Sequence, residues 1–129
     1  MSNFSGLQVI YAVSRKAGGT IAQYSPVKLS AENTVIANSA QGEQIDGIAL
    51  HAASSGDVVS VLKIGKCPVK IKTATSMTFG DLLTPSATAG QVEEAASGDY
   101  VFGQADAAPS ASGDLVEAFI NTINPHIKA

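Results

Sequence analysis

With 129 residues and a formal net charge of −3, the chain is sized for one domain that buries a core without a metal or a cross-link. Its single cysteine, Cys67, excludes an intrachain disulfide, and no apolar stretch approaches the roughly 18 to 20 residues of a membrane span. The charge is uneven. Residues 1–72 carry seven basic and four acidic groups and residues 73–129 one basic and seven acidic, an asymmetry that reads either as favouring head-to-tail packing of identical subunits or as solvated charge with no partner.

Val, Ile and Thr number 29 and alanine 20, so the side chains are small and propensity favours strands over long helices. Residues 1–19 read as a lead-in, in which the apolar run Leu7 to Val13 closes at Arg15-Lys16-Ala17-Gly18-Gly19. It is either an added strand or an arm that orders on a partner. Its polar start lacks a signal-peptide core, so the expectation is a soluble protein that stays where it is made. Residues 20–129 then form a single β domain. Weak strands are expected at Thr20 to Gln23, Pro26 to Leu29 and Thr34 to Ala37, and stronger ones at Ile45 to Leu50 and Asp57 to Ile64. Gly65-Lys66 reads as a turn. After it Val69, Ile71 and Thr73 alternate with Lys70 and Lys72, which places lysines on one face and core on the other. Pro68 has no amide donor, so this strand is expected to begin there or to run along an edge.

Strands are further expected at Gly80 to Thr84, Gln91 to Glu93, Tyr100 to Ala105 and Leu115 to Thr122, with any helix limited to a turn or two near Ser76 to Gly80 or Ala107 to Ser112. Short, mostly antiparallel strands at turn-punctuated spacing give an all-β barrel or sandwich. Four of them open with one device: Gly56-Asp57, Gly80-Asp81, Gly98-Asp99 and Gly113-Asp114, each followed by two large apolar residues. Glycine supplies the positive φ of a tight turn and aspartate hydrogen-bonds the turn's own backbone. Two longer segments also match, because Gly47, Ala49, Ala52, Gly56-Asp57 and Val59 align with Gly103, Ala105, Ala108, Gly113-Asp114 and Val116, with one extra residue in the second loop.

This doubled outline, over roughly residues 34–121, resembles the small capsid decoration, or cement, proteins of tailed bacteriophages. The resemblance implies a compact, β-tulip-like antiparallel barrel with an N-terminal arm. It also implies a homotrimer on the outer surface of the virion, whose partner is the major capsid protein and whose work is to reinforce the shell without chemistry or cofactor. The usual early glycine-aspartate turn is absent from the first 33 residues. In such proteins the N-terminal portion often contacts the shell, which makes Phe4, Leu7, Val9, Tyr11, Arg15 and Lys16 the candidate capsid-contact residues.

Catalytic and metal chemistry find little support. His51 and His126 lie outside helical spacing of any other ligand type, and the four turn aspartates are too far apart for a calcium loop. Glu93-Glu94 would point to opposite faces of a strand. Lys63, Lys66, Lys70 and Lys72 form the candidate patch for an anionic partner, read as a solvated face or a salt-sensitive protein contact. Without interleaved aromatics, neither nucleic acid nor membrane is expected as a partner. Two other readings stand beside the cement protein. One is a structural protein of a phage tail or head fibre, and the other a trimeric β-rich nucleotide hydrolase, whose serine-rich phosphate loop and stacking aromatic are not found.

Overall fold

The computed structural model describes residues 7–72, 77–124 and 126–129, and every described element is a β-strand. In chain order these are β1 (Gln8–Ala17), β2 (Pro26–Ala31), β3 (Thr34–Ala37), β4 (Gly47–Ala49), β5 (Val58–Ile71), β6 (Leu82–Pro85), β7 (Gln91–Glu94), β8 (Tyr100–Val101), β9 (Gly103–Ala105), β10 (Leu115–Asn121) and β11 (His126–Ile127). Nine of them form one mixed sheet in the order β1-β3-β2-β4-β5-β10-β9-β6-β7. Pairing of β1 with β5 closes the first five strands into a barrel, and pairing of β5 with β7 closes a second. The long strand β5 therefore belongs to both.

The two barrels are copies of one plan. Pro26 and Val27 pair with Ile48 and Gly47 in the first, and Leu82 and Leu83 pair with Gln104 and Gly103 in the second. Each barrel has one parallel pair, Ala17 beside Val35 and Ile71 beside Val92. The first core comprises Ala17, Ile21, Val27, Val35, Ala49, Ala53, Val59 and Val61. All of these except Ala53 have a counterpart in the second core, namely Ile71, Met77, Leu83, Val92, Ala105, Val116 and Ala118. The aligned glycines have a shared reason: a Cβ on Gly47 would strike the carbonyl oxygen of Leu62, and one on Gly103 that of Phe119. No side chain fits where β4 crosses β5 and β9 crosses β10.

The four glycine-aspartate turns are one structural unit. Each glycine has φ between 86° and 92°, and each aspartate carboxylate accepts the amide of the residue three before it: Ser54, Thr78, Ala96 and Ala111, at 2.8 to 2.9 Å. Positive φ at the third turn position alone is the type II pattern. The unit also docks a second strand, because the glycine amide donates to a carbonyl whose own amide donates back to the aspartate carbonyl. Ala17, Ile71, Ala105 and Lys128 are the residues so held. The turn missing from the early sequence is present in form: Tyr24 takes φ 64°, Ser25 N–H donates to Ala22 O, and Ala49 docks on Tyr24 and Ser25 as Ala105 docks on Gly80 and Asp81.

Several expectations are corrected. Thr20 to Gln23 is not a strand, and only Ile21 makes an isolated bridge, to Ala53. Gly65-Lys66 is not a turn, since β5 runs straight through it. Gly65 has φ 151°, beyond the reach of most side chains, and lies against Gln8 O. Across this glycine the strand changes which parity faces the second core, from even Leu62 to odd Cys67, Val69 and Ile71. Pro68 lies inside the central strand. Ile71 N–H donates to Asp114 O, just before β10, and Lys72 N–H to Val92 O of β7, so amides alternate and Pro68 nitrogen faces the β7 side. There the ladder with β1 has ended at Lys66 and that with β7 has not begun, so no described strand needs its missing proton. Phe102 divides the expected strand Tyr100 to Ala105 into β8 and β9, and β11, for which no strand is expected from sequence, pairs with β8. No helix occurs among the described residues; Thr73 and Ser76 lie outside them.

Candidate functional surface

Phe4 lies outside the described residues. Leu7, Val9 and Tyr11 are exposed, and between them Ile10 is exposed as well, at 68%. These side chains are not on a free arm, for β1 pairs with β5 from Gln8↔Lys66 to Lys16↔Val58. Arg15 is committed elsewhere: its guanidinium donates to both carboxylate oxygens of Asp46, at 2.9 and 3.1 Å, and to Asn33 Oδ1. Lys16 is exposed.

The four lysines do not form one free patch. Lys63 Nζ lies 2.9 Å from Asp46 Oδ1, and Lys66 Nζ bridges Asp106 and Glu117 at 2.8 and 3.1 Å. Lys72 sits 4.0 Å from Glu93, while Lys70 is exposed on the face opposite Val69 and Ile71. Part of the charge asymmetry along the sequence is thus offset on the surface of the second barrel, where Lys66 of β5 and Lys72 just after it meet carboxylates of β7, β10 and the loop after β9. Hydrogen bonds to Asp106 and Glu117, opposed by a smaller burial effect, raise the Lys66 ammonium above its ordinary value.

Sequence reasoning missed Asp46, whose side chain is 2% exposed and is held by two cations. Burial pushes its carboxyl upward, but the hydrogen bonds and charges of Arg15 and Lys63 outweigh this and leave it below the usual carboxylate range. It missed Asn38 too. This buried amide donates to Ser86, Thr88 and Gln91 carbonyls and accepts from Gly90 N–H, tying the end of β3 to the β6–β7 hairpin. Neither carries a local signal, because the partners lie 17 to 53 residues away.

Among the described residues no group of three or more His, Cys, Asp or Glu is placed to hold a metal ion. His51 Nε2 accepts the Ser60 amide, a structural bond between β5 and the loop after β4. Glu93 and Glu94 occupy opposite faces of β7. A groove beside Phe119 is lined by Leu82, Val101, Phe102, Gly103, Gln104 and His126.

No family model matches the chain, and no curated protein does. Among solved structures it is similar to the N base of head fibre gp8.5 of bacteriophage phi29, with a TM-score of 0.66 and 19% identity over 87% of this chain and 94% of that one. At that identity the likeness establishes the all-β fold.

Proposed function

We propose that this chain is a structural protein of a bacteriophage head, bound to the outer surface of the assembled shell through its major capsid protein. The observation that carries this reading is the likeness in fold, across nearly the whole of both chains, to the base of a phage head fibre. The sequence outline that resembles decoration proteins supports it independently. The architecture suits the role: two turn-locked barrels form a rigid unit whose modest contact is multiplied by symmetry at many equivalent positions. Leu7, Val9 and Tyr11 supply exposed apolar contact area, and Lys16 an exposed cation.

Mixing the purified protein with undecorated, expanded heads tests the proposal, with saturable binding expected and its absence fatal. The similarity to a fibre base favours a second reading, in which the barrels anchor a fibre. Occupancy separates the two. A decoration protein fills every equivalent shell position at saturation, whereas a fibre base fills a small subset, as averaged electron micrographs of the heads would reveal.

A further inference from the structure

Where the end of β10 meets the first barrel, a pocket of about 330 Å³ opens. Thr122, just after β10, fixes its floor by donating from Oγ1 to Asp46 O and from its amide to Lys63 O. Leu29 of β2 and Ile45 give it an apolar wall, and Lys28, Asp46 and Lys63 line the rest, with Gln44 beside them. An apolar wall with a few convergent polar groups, at a junction between two packed units, is the usual form of a ligand site. The sequence places Lys63 in a row with Lys66, Lys70 and Lys72, whereas the fold sets it opposite Lys28.

The ion pairs around this pocket do not balance. Arg15 and Lys63 share Asp46 while Lys28 holds Glu43, so three cations meet two carboxylates. Both carboxylates are fully engaged. Asp46 accepts from Arg15 and Lys63 on Oδ1 and from Arg15 on Oδ2, and Glu43 accepts Lys28 on Oε1 and the Ser39 and Ala40 amides on Oε2. The ammonium groups keep donors in reserve. Each carries three protons, but Lys63 Nζ has one described acceptor, Asp46, and Lys28 Nζ has two, Glu43 and Ser39 Oγ. The pocket therefore presents unused N–H donors and a single surplus positive charge.

We infer that this pocket binds a carboxylate, on a ligand whose aliphatic stem lies along Leu29 and Ile45. One carboxylate neutralises the surplus charge and accepts the protons that Lys63 and Lys28 leave unused. A phosphate dianion would overshoot that charge, and the guanidinium fork that suits phosphate is already taken by Asp46. Asp46 itself does not repel the ligand, because its side chain is 2% exposed and its charge is capped by Arg15 and Lys63. A glutamate side chain of a partner protein and a free short-chain acid share this chemistry. The inference does not depend on attachment to a phage head.

Amide chemical shifts of the folded protein follow such binding residue by residue. A blocked alanine peptide with one central glutamate is expected to shift the amides of Gln44, Lys63 and Thr122 saturably, and the same peptide with glutamine in that place is not. Lys63→Met would also strip Asp46 of a cation, so the discriminating variants are at Gln44, whose exposed side chain joins no described ion pair. Gln44→Glu should weaken binding about fivefold and Gln44→Arg tighten it by a similar factor, from one added charge at the mouth of the pocket. Lys70→Gln, which removes an exposed lysine outside the pocket, should leave the affinity unchanged. Butyrate titrated alone separates the two sources: binding as tight as the peptide's assigns the pocket to a free acid, and weaker binding assigns it to an acidic segment of a protein. Absence of saturable shifts with both peptide and butyrate, inorganic phosphate binding as tightly as either, an unaltered affinity in Gln44→Glu, or an equal loss in Lys70→Gln overturns the inference.

Discussion

Asp46 concentrates more of this molecule's electrostatics than any motif in its sequence suggests. Two cations from different strands, Arg15 and Lys63, converge on a carboxylate that is nearly inaccessible, and Thr122 Oγ1 donates to its backbone carbonyl. Since its carboxyl is lowered in the folded chain, it contributes stability above the ordinary carboxylate range, and that contribution is lost as pH falls through the lowered folded value. Removing it leaves both cations without their counter-charge, although each keeps some access to water. Asp46→Ala is expected to cost about 2–4 kcal/mol at neutral pH in urea denaturation, with the gap from wild type narrowing in acid. A constant gap from neutral pH down into strong acid would show that the charge is not the source. Cys67 presents the opposite case, a lone apolar thiol whose pKa burial pushes up to about 12. It should resist thiol reagents in the folded protein and react fully in denaturant.

At the level of elements, the glycine-aspartate turns were legible from sequence because all their chemistry is local. The glycine's φ and the aspartate's bond to the amide three residues earlier are set within four consecutive residues. Asp57→Ala, Asp81→Ala, Asp99→Ala and Asp114→Ala should each cost about 0.5–1.5 kcal/mol, with near-additive effects for pairs taken from different turns. Much larger losses would mean that the carboxylates do more than close turns. Strand β3 was read to the residue, and β2 and β10 nearly so, since alternation and turn residues bound them. β5 was not. Gly65 and Pro68 are punctuation in a local reading, and only the neighbouring strands explain why both are tolerated in mid-strand. Early turn chemistry escaped notice because Tyr24 stands where the later copy has Gly80. Gly47 and Gly103 were aligned as small residues, but the reason for them, a carbonyl in the path of any Cβ, comes from the crossing strand. Gly47→Ala and Gly103→Ala should therefore each destabilise by about 2 kcal/mol or more, whereas Gly19→Ala, with open space around it, should not. Melting temperatures of the three variants provide the comparison.

For the whole molecule, the doubled sequence outline pointed to a repeated unit, yet not to its consequence, two closed barrels joined through one strand. Nor did it reveal the candidate surface fully. Val9 and Tyr11 were singled out from sequence, while Ile10 and Phe119 acquire meaning only once the sheet shows which edges and faces are left open. Sharing β5 has a thermodynamic corollary. The first barrel cannot open without releasing the N-terminal half of β5, and Ile45, Ile48 and Leu62, from the first half of the chain, lie in the second core beside Cys67. The barrels should thus unfold as one unit although each has its own interior. Cys67 makes this measurable, because its labelling requires the second core to open. Ile21 lies in the first core, and Ile21→Val removes one buried methyl group at a cost of about 1 kcal/mol. If unfolding is shared, labelling of Cys67 should accelerate about fivefold in that variant, matching the loss of stability seen by circular dichroism. Labelling that ignores Ile21→Val while Val92→Ala, in the second core, accelerates it would mean that the barrels open independently, with β5 melting in two halves about Gly65.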